Sequence, residues 1–162
     1  MKEIDLTLPA GEGLLNVRVG AIILRDGKVL MAANEGMSCL YSVGGRVHFG
    51  ETMEEAVVRE VREETGVALE VDRLGFVHEV FFIGEGPYQG SRIHEISLFY
   101  YMKVPADFEP RCRSRAANGT REWLEWIDPA AETRTIYPEF FREELRRPCR
   151  TVKCIPQREW PE

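Results

Sequence analysis

The sequence predicts an α/β fold, and three observations carry that prediction. Between Leu14 and Leu24 the residues Val17, Val19, Ala21 and Ile23 alternate, the period of a strand with a buried face, and Asp26-Gly27 then supplies a two-residue turn into Lys28 to Ala33. From Thr52 to Gly66 the period changes to that of a helix, with a capping signal at one end and a glycine at the other. Beyond it, Leu69 to Ile83 and Ile93 to Val104 return to the β-branched and aromatic composition of strands.

Taken in order, residues 3 to 8 read as a short edge strand ending at the turn residues Pro9, Gly11 and Gly13. The hairpin that follows is scaffold, and on it Arg18 is either an exposed strand residue or a guanidinium fork for a substrate phosphate. Asn34 to Ser38 form a polar loop before Cys39, Leu40 and Tyr41. After Gly44-Gly45 the chain is extended, with Arg46 assigned to substrate binding and His48 to ordinary surface hydrogen bonding in preference to phosphate contact. The strand from Leu69 is expected to break near Asp72, and Gly84, Gly86, Pro87 and Gly90 make a flexible connection. Glu79 and Glu95 each follow a histidine, His78 and His94. Across a hairpin those pairs would face each other, so that Glu95 or Glu79 lines a cleft, or both are simply polar positions of a half-exposed sheet. Residues 105 to 121 read as a long loop whose arginines at 111, 113, 115 and 121 gather phosphate or solvate the loop. Glu122 to Ile127 is strand-like with Trp123 and Trp126 in the core, Asp128-Pro129 opens a turn, and Pro138 to Arg147 reads as a second amphipathic helix. The tail from Pro148 onward reads as peripheral, with Trp160 docked on the domain or on a second subunit.

The first helix carries the functional signal. Thr52 and Glu55 form a T-x-x-E capping box, and Met53, Ala56, Val57 and Val61 make its apolar stripe. Glu60 and Glu64 fall on that same stripe and Glu63 at its edge. As like charges at i and i+4 the first two destabilise a helix by roughly 0.2 to 0.5 kcal/mol, and in a last turn they oppose the dipole by about 0.3 to 1 kcal/mol more. Pairs such as Glu55 with Arg59 account for the solvated face. They leave Glu60 and Glu64 unexplained, whereas a hard divalent cation such as Mg²⁺ would neutralise both.

Gly45, Glu51 after five residues, and after seven more Arg59-Glu60-Val61-Arg62-Glu63-Glu64-Thr65-Gly66-Val67 resemble the Nudix box, G-x5-E-x7-R-E-U-x-E-E-x-G-U with U apolar. Every fixed position is filled. The resemblance implies a Nudix-type α/β/α sandwich with a mixed central sheet, Mg²⁺ as usual cofactor with Mn²⁺ able to substitute, and cleavage of a nucleoside diphosphate joined to another group. It implies metal ligation by Glu60, Glu63, Glu64 and the Gly45 carbonyl, and an acid before a tryptophan that joins the catalytic group, Glu122 by first choice and Glu125 by second. Glu60, Glu63 or Glu122 is the general base, and Arg59 orients Glu60 and Glu63 with Glu51 or Glu55 as its partner. Ser42-Val43 stands where many members place a proline before the two glycines, a departure outside the box itself. Two other readings belong to the same resemblance. One is a non-catalytic nucleotide-sensing domain, although such domains commonly lose box acids. The other is an isopentenyl-diphosphate isomerase, for which Cys39 is roughly placed but the chain is short.

Composition bounds the rest. The chain has 162 residues, 44% of them hydrophobic, which suits one domain over 1–162 with a core at about 14–147 and a tail at about 148–162. A net charge of -6 argues against undirected or sequence-specific nucleic-acid binding and against anionic membranes. No apolar run approaches membrane-spanning length and the N-terminus lacks a signal-peptide pattern, so the cytoplasm is expected. Cys149 and Cys154 are expected to be reduced thiols before a disulfide or metal half-site. The implied partner is a small-molecule nucleotide, and edge strands with an aromatic tail are compatible with a homodimer.

Overall fold

A computed structural model of the chain describes residues 3–85, 88–111 and 119–160. Gly86, Pro87, Arg113 and Arg115, invoked above, lie outside them. The chain runs through β1 (Thr7–Ala10), β2 (Gly13–Ile22), β3 (Leu24–Arg25), β4 (Lys28–Asn34), β5 (Leu40–Ser42), β6 (Gly44–Arg46), α1 (Met53–Thr65), β7 (Glu70–Ile83), β8 (Arg92–Lys103), β9 (Glu122–Ile127), β10 (Ile136–Tyr137), α2 (Phe141–Glu144) and β11 (Lys153–Arg158).

Two mixed sheets result. Among the described residues one runs β1-β2-β8-β7-β11, with β6 added to β2, and the other β10-β5-β4-β3, with β9 added to β4. Parallel β2/β8 and β7/β11 pairs sit beside the antiparallel β7/β8 pair. Asp26 and Gly27 both have positive φ, 51° and 76°, the geometry of a type I′ hairpin turn. The break expected near Asp72 is a pair of register shifts in β7, between Val71 and Arg73 and between Leu74 and Phe76.

Alternation along the strands builds two cores. Val19, Ala21, Ile23, Tyr100 and Met102 point toward Ala56, Val57 and Val61 of α1. Their neighbours Ile22, Phe99 and Tyr101 point the other way, into a cluster with Phe76, Phe141 and Leu145. The sheets are thus buried on both faces, one under each helix, which is the α/β/α layering.

Three expectations are corrected. The N-terminal strand is Thr7–Ala10, not residues 3 to 8; Pro9 fits within it because β1 is an edge strand. The second helix is one turn, Phe141–Glu144, with no side-chain cap at Phe140, because its apolar residues Phe140, Phe141 and Leu145 cover little more than that turn. The tail is not peripheral: β11 continues the larger sheet beside β7, and Trp160 Nε1 donates to the Phe82 carbonyl at 2.9 Å. Trp160 therefore docks on its own domain. Cys149 and Cys154 are free thiols.

Gly20 makes room for a neighbouring strand's side chain. A Cβ added there would lie 2.3 Å from the ring of Phe99, its register partner on β8. Gly20→Ala should therefore destabilise the fold by about 1 to 3 kcal/mol through overpacking. Urea denaturation of the two proteins measures this, with an unchanged m-value expected.

Candidate active site

The helix is anchored before it presents its acids. Thr52 Oγ1 accepts from Glu55 N at 3.2 Å and Glu55 Oε2 accepts from Thr52 N at 2.7 Å, so the capping box is complete. Glu55 is thereby committed to the cap, and the expected pair with Arg59 does not form. Arg59 turns instead to Glu51, donating from Nη2 to Oε1 at 2.6 Å and from Nε to Oε2 at 3.1 Å. The same guanidinium donates to Glu60 Oε1 at 2.7 Å and to the Arg46 carbonyl at 2.9 Å, and lies 3.5 Å from Glu63. Glu51 also accepts from His48 N at 2.7 Å. Its carboxyl is held below the ordinary range, first by the Arg59 bonds.

Two glycines let the last turns of α1 sit directly on β6. A Cβ on Gly45 would meet the Glu60 carboxylate at 2.4 Å, and Gly44 N donates to Glu64 Oε1 at 2.8 Å. Gly44 has a φ of 147°, and a Cβ there would lie 2.3 Å from the Val19 carbonyl oxygen. Only glycine satisfies both demands.

The electrostatics of this contact are uneven. Burial pushes the Glu64 carboxyl up to about 8; the Gly44 bond opposes that, while the charges of Glu60 and Glu122 add to it. Glu60 is raised as well, first by burial, with Arg59 acting against it. Glu63 is 59% exposed and forms the rim. Arg18 acts favourably on both Glu60 and Glu64. Glu122 thus stands within electrostatic reach of Glu64, whereas Glu125 is taken up by Arg134 at 2.8 Å and by the Trp123 indole.

The remaining predicted residues divide into those near this centre and those away from it. Arg18 Nη1 is 3.9 Å from Glu95, which also accepts from Ser97 Oγ at 3.1 Å. Arg46 pairs with Arg18 across β2 and β6, is 3.6 Å from Asp5, and lies over the Tyr88 ring. His48 is 3.4 Å from Asp5, a surface arrangement. Glu79 binds His94 at 2.8 Å and so does not join Glu95. Arg111 engages α1 through its backbone, donating to the Thr65 carbonyl. Trp123 and Trp126 pack against the two cores. Sequence reading missed Asp5 as the partner of Arg46 and His48, and Asn16 beside Glu95; neither contact is local in sequence.

Among the described residues no three His, Cys, Asp or Glu side chains are grouped closely enough to hold a metal ion by themselves. The donor set nevertheless suits a hard divalent cation. Glu64 is a burial-destabilised carboxylate with no ion-pair partner among the described residues, since Arg59 is already shared between Glu51 and Glu60. Carboxylate and backbone oxygens are the ligands such an ion takes.

Residues 14–147 match the model of the NUDIX domain. The chain belongs to the NUDIX family. It is 38% identical over 91 residues to an ADP-ribose pyrophosphatase of Methanocaldococcus jannaschii, a match covering 54% of this chain and 50% of that protein. It is 48% identical over 67 residues to putative nudix hydrolase 1 of Caenorhabditis elegans, covering 37% and 18%. The match thus spans half or less of these curated relatives. The crystal structure of a MutT NUDIX hydrolase from Burkholderia pseudomallei aligns with a TM-score of 0.60 at 28% identity, over 76% of this chain and 91% of that one. The NUDIX match begins after β1 and ends before β11, so both edge strands of the larger sheet lie outside the matched residues.

A carboxyl whose folded pKa is raised stabilises the fold fully below its unfolded value, and that contribution is lost as pH rises through the folded value. In protein freed of divalent ions, the Glu64 contribution should therefore fall between about pH 4.5 and about pH 8. Chemical denaturation across that range should show this slope, and Glu64→Gln should flatten it.

Proposed function

We propose that the protein is a Mg²⁺-dependent pyrophosphohydrolase that cleaves the diphosphate of a nucleoside diphosphate derivative. The observation that supports it best is the seating of Glu60 and Glu64 on Gly44 and Gly45, with their carboxylates raised by burial and Arg59 committed to Glu51. Acids in that position are tolerated where a cation joins them. Mg²⁺ or Mn²⁺ would be held by Glu60, Glu64 and the Gly45 carbonyl with Glu63 at the rim, and supplies charge for the diphosphate and acidity for a water molecule. Related proteins named as an ADP-ribose pyrophosphatase, an RNA pyrophosphohydrolase and a MutT hydrolase support this anhydride chemistry.

The chain's own residues divide the work. Arg18 and Arg46, adjacent across two strands, meet the negative charge of the diphosphate. Arg59 fixes the Glu60 carboxylate through Glu51 and the Arg46 carbonyl, and so positions a ligand without touching substrate. Glu122 keeps its oxygens clear of the Arg59 network and takes the proton from the attacking water as the new P–O bond forms. The bridging P–O bond breaks and the leaving phosphate carries away the electron pair. The products are a nucleoside monophosphate and a phosphorylated remainder, or pyrophosphate where the substrate is a triphosphate. No described helix is long and apolar enough to cross a membrane, and we place the enzyme in the cytoplasm.

Glu64→Gln should lower Mg²⁺-dependent turnover on a panel of ADP-ribose, nucleotide sugars, dinucleotides and nucleoside triphosphates by about a hundredfold or more. Arg59→Gln, acting through Glu60, should cost about 10- to 100-fold, the usual range for the outer partner of a metal ligand. After reaction in ¹⁸O-water, mass spectrometry should find the label in one of the two phosphorylated products. Full activity of Glu64→Gln would remove the ligand assignment.

The magnesium requirement gives a second prediction. In metal-free protein Mg²⁺ should raise the thermal transition, because an ion that binds only the folded state stabilises it by mass action. Glu64→Gln should largely lose that response.

A further inference from the structure

On the face of the larger sheet opposite α1, polar side chains replace the apolar ones that fill the rest of the core. Strand register places Thr7, Asn16, Glu95 and Val80 in one row and Arg46, Arg18, Ser97 and His78 in the next, all on the same side. Asn16 is 3% exposed, Ser97 4% and His78 7%. Buried polar groups in folded proteins are nearly always hydrogen-bonded. Asn16 is not fully so: its amide donates to Glu95 Oε2 at 3.4 Å, while its Oδ1, like the Oγ1 of Thr7 beside it in the row, is buried with no partner among the described residues.

The groups around Asn16 Oδ1 define what it can recognise. Glu95 accepts from Asn16 on one oxygen and from Ser97 on the other, and each carboxylate oxygen has capacity for a second donor. With Asn16 Oδ1 this makes a floor of adjacent acceptors. Burial holds His78 below its ordinary range, which disfavours its cation, and its ring is bonded to Gln157 at 3.1 Å. Phe140 closes one side, its ring 5.1 Å from His78 and 5.5 Å from Phe99. Arg18 joins this floor to the catalytic end, being 3.9 Å from Glu95 while its charge reaches Glu60 and Glu64.

We propose that Asn16 and Glu95 form a specificity subsite that reads the exocyclic amino group of the substrate's nucleobase. The proposal rests on the reading of the neighbouring centre as a nucleotide-diphosphate site, and specifies which part of the nucleotide this face holds. An amino group carries two hydrogens and meets two adjacent acceptors, here Asn16 Oδ1 and a Glu95 oxygen. The planar base lies against Phe140, and Arg18 takes the first phosphate. A keto oxygen at the same place would bring a third acceptor against two others. That mismatch, more than any attraction, sets the discrimination.

The test uses nucleoside 5′-monophosphates without divalent ion, so that it is independent of hydrolysis. Calorimetric titration with the matched pairs GMP and IMP, AMP and IMP, and CMP and UMP compares each amino-bearing base with its counterpart. In at least one pair the amino-bearing member should bind about tenfold tighter or more, the equivalent of a hydrogen bond to a charged group. Asn16→Leu and the isosteric Glu95→Gln should each erase that preference. A thermal transition within a few degrees of the parent certifies the fold of each variant. Equal binding within all three pairs, no binding of any amino-bearing monophosphate at millimolar concentration, or a preference that survives in both variants would each overturn the subsite. Loss of hydrolysis in Glu64→Gln with the preference intact would uphold both assignments. Binding preference without hydrolysis of any diphosphate by the parent would overturn the enzyme reading alone.

Discussion

The contact on which the site depends is the seating of the last turns of α1 against Gly44 and Gly45. A Cβ at either glycine would occupy space already filled, by the Glu60 carboxylate in one case and by the Val19 backbone in the other. The close approach brings two carboxylates off the solvent and raises both. It leaves the helix with acids at the end where its dipole favours cations. Each of these terms is unfavourable alone. They are held together because Arg59 is braced at four points, on Glu51, Glu60, Glu63 and the Arg46 carbonyl.

That brace explains why the box residues are spaced as they are. Glu51 lies just before the helix and Arg59 two turns into it, which lets one guanidinium span the loop and the helix face. The fork geometry is needed, since the ammonium of a lysine would provide one charge without bidentate contact to Glu51. Glu55 is kept out of the network by the cap, and Glu125 by Arg134. Glu60, Glu64 and Glu122 are consequently the acids left facing one another.

Much of this was legible in the sequence because it is local. The capping box, the Gly66 terminus, the Asp26-Gly27 turn and the inward direction of Glu60 and Glu64 all follow from spacing within one element. What escaped depends on distant partners. The Lys153–Arg158 strand offers only Ile155 as an apolar inward residue and contains Pro156, so its pairing with β7 is set by the neighbour. The second helix looked longer because Phe140, Phe141 and Leu145 have helical spacing, yet one turn suffices to bury them. The partner of Arg59 was open between Glu51 and Glu55 until the cap decided it, and Asn16 gave no signal because its importance lies in a register with Glu95 on a strand far along the chain.

The two faces of the larger sheet therefore answer different demands. On the α1 side, apolar packing presses the helix onto the glycines and fixes the acids. On the other side the same strands bury Asn16, Ser97 and His78 beside Phe99 and Phe140, where apolar residues would pack at less cost. Polar burial of that kind adds no stability unless every group is satisfied, and Asn16 Oδ1 is not. Strand alternation lets one segment of β2 serve both demands: Val19 packs beneath the helix, while Arg18 reaches from the polar floor toward the acids. The register of β2 with β8 thereby fixes where Asn16 and Glu95 stand relative to Arg18.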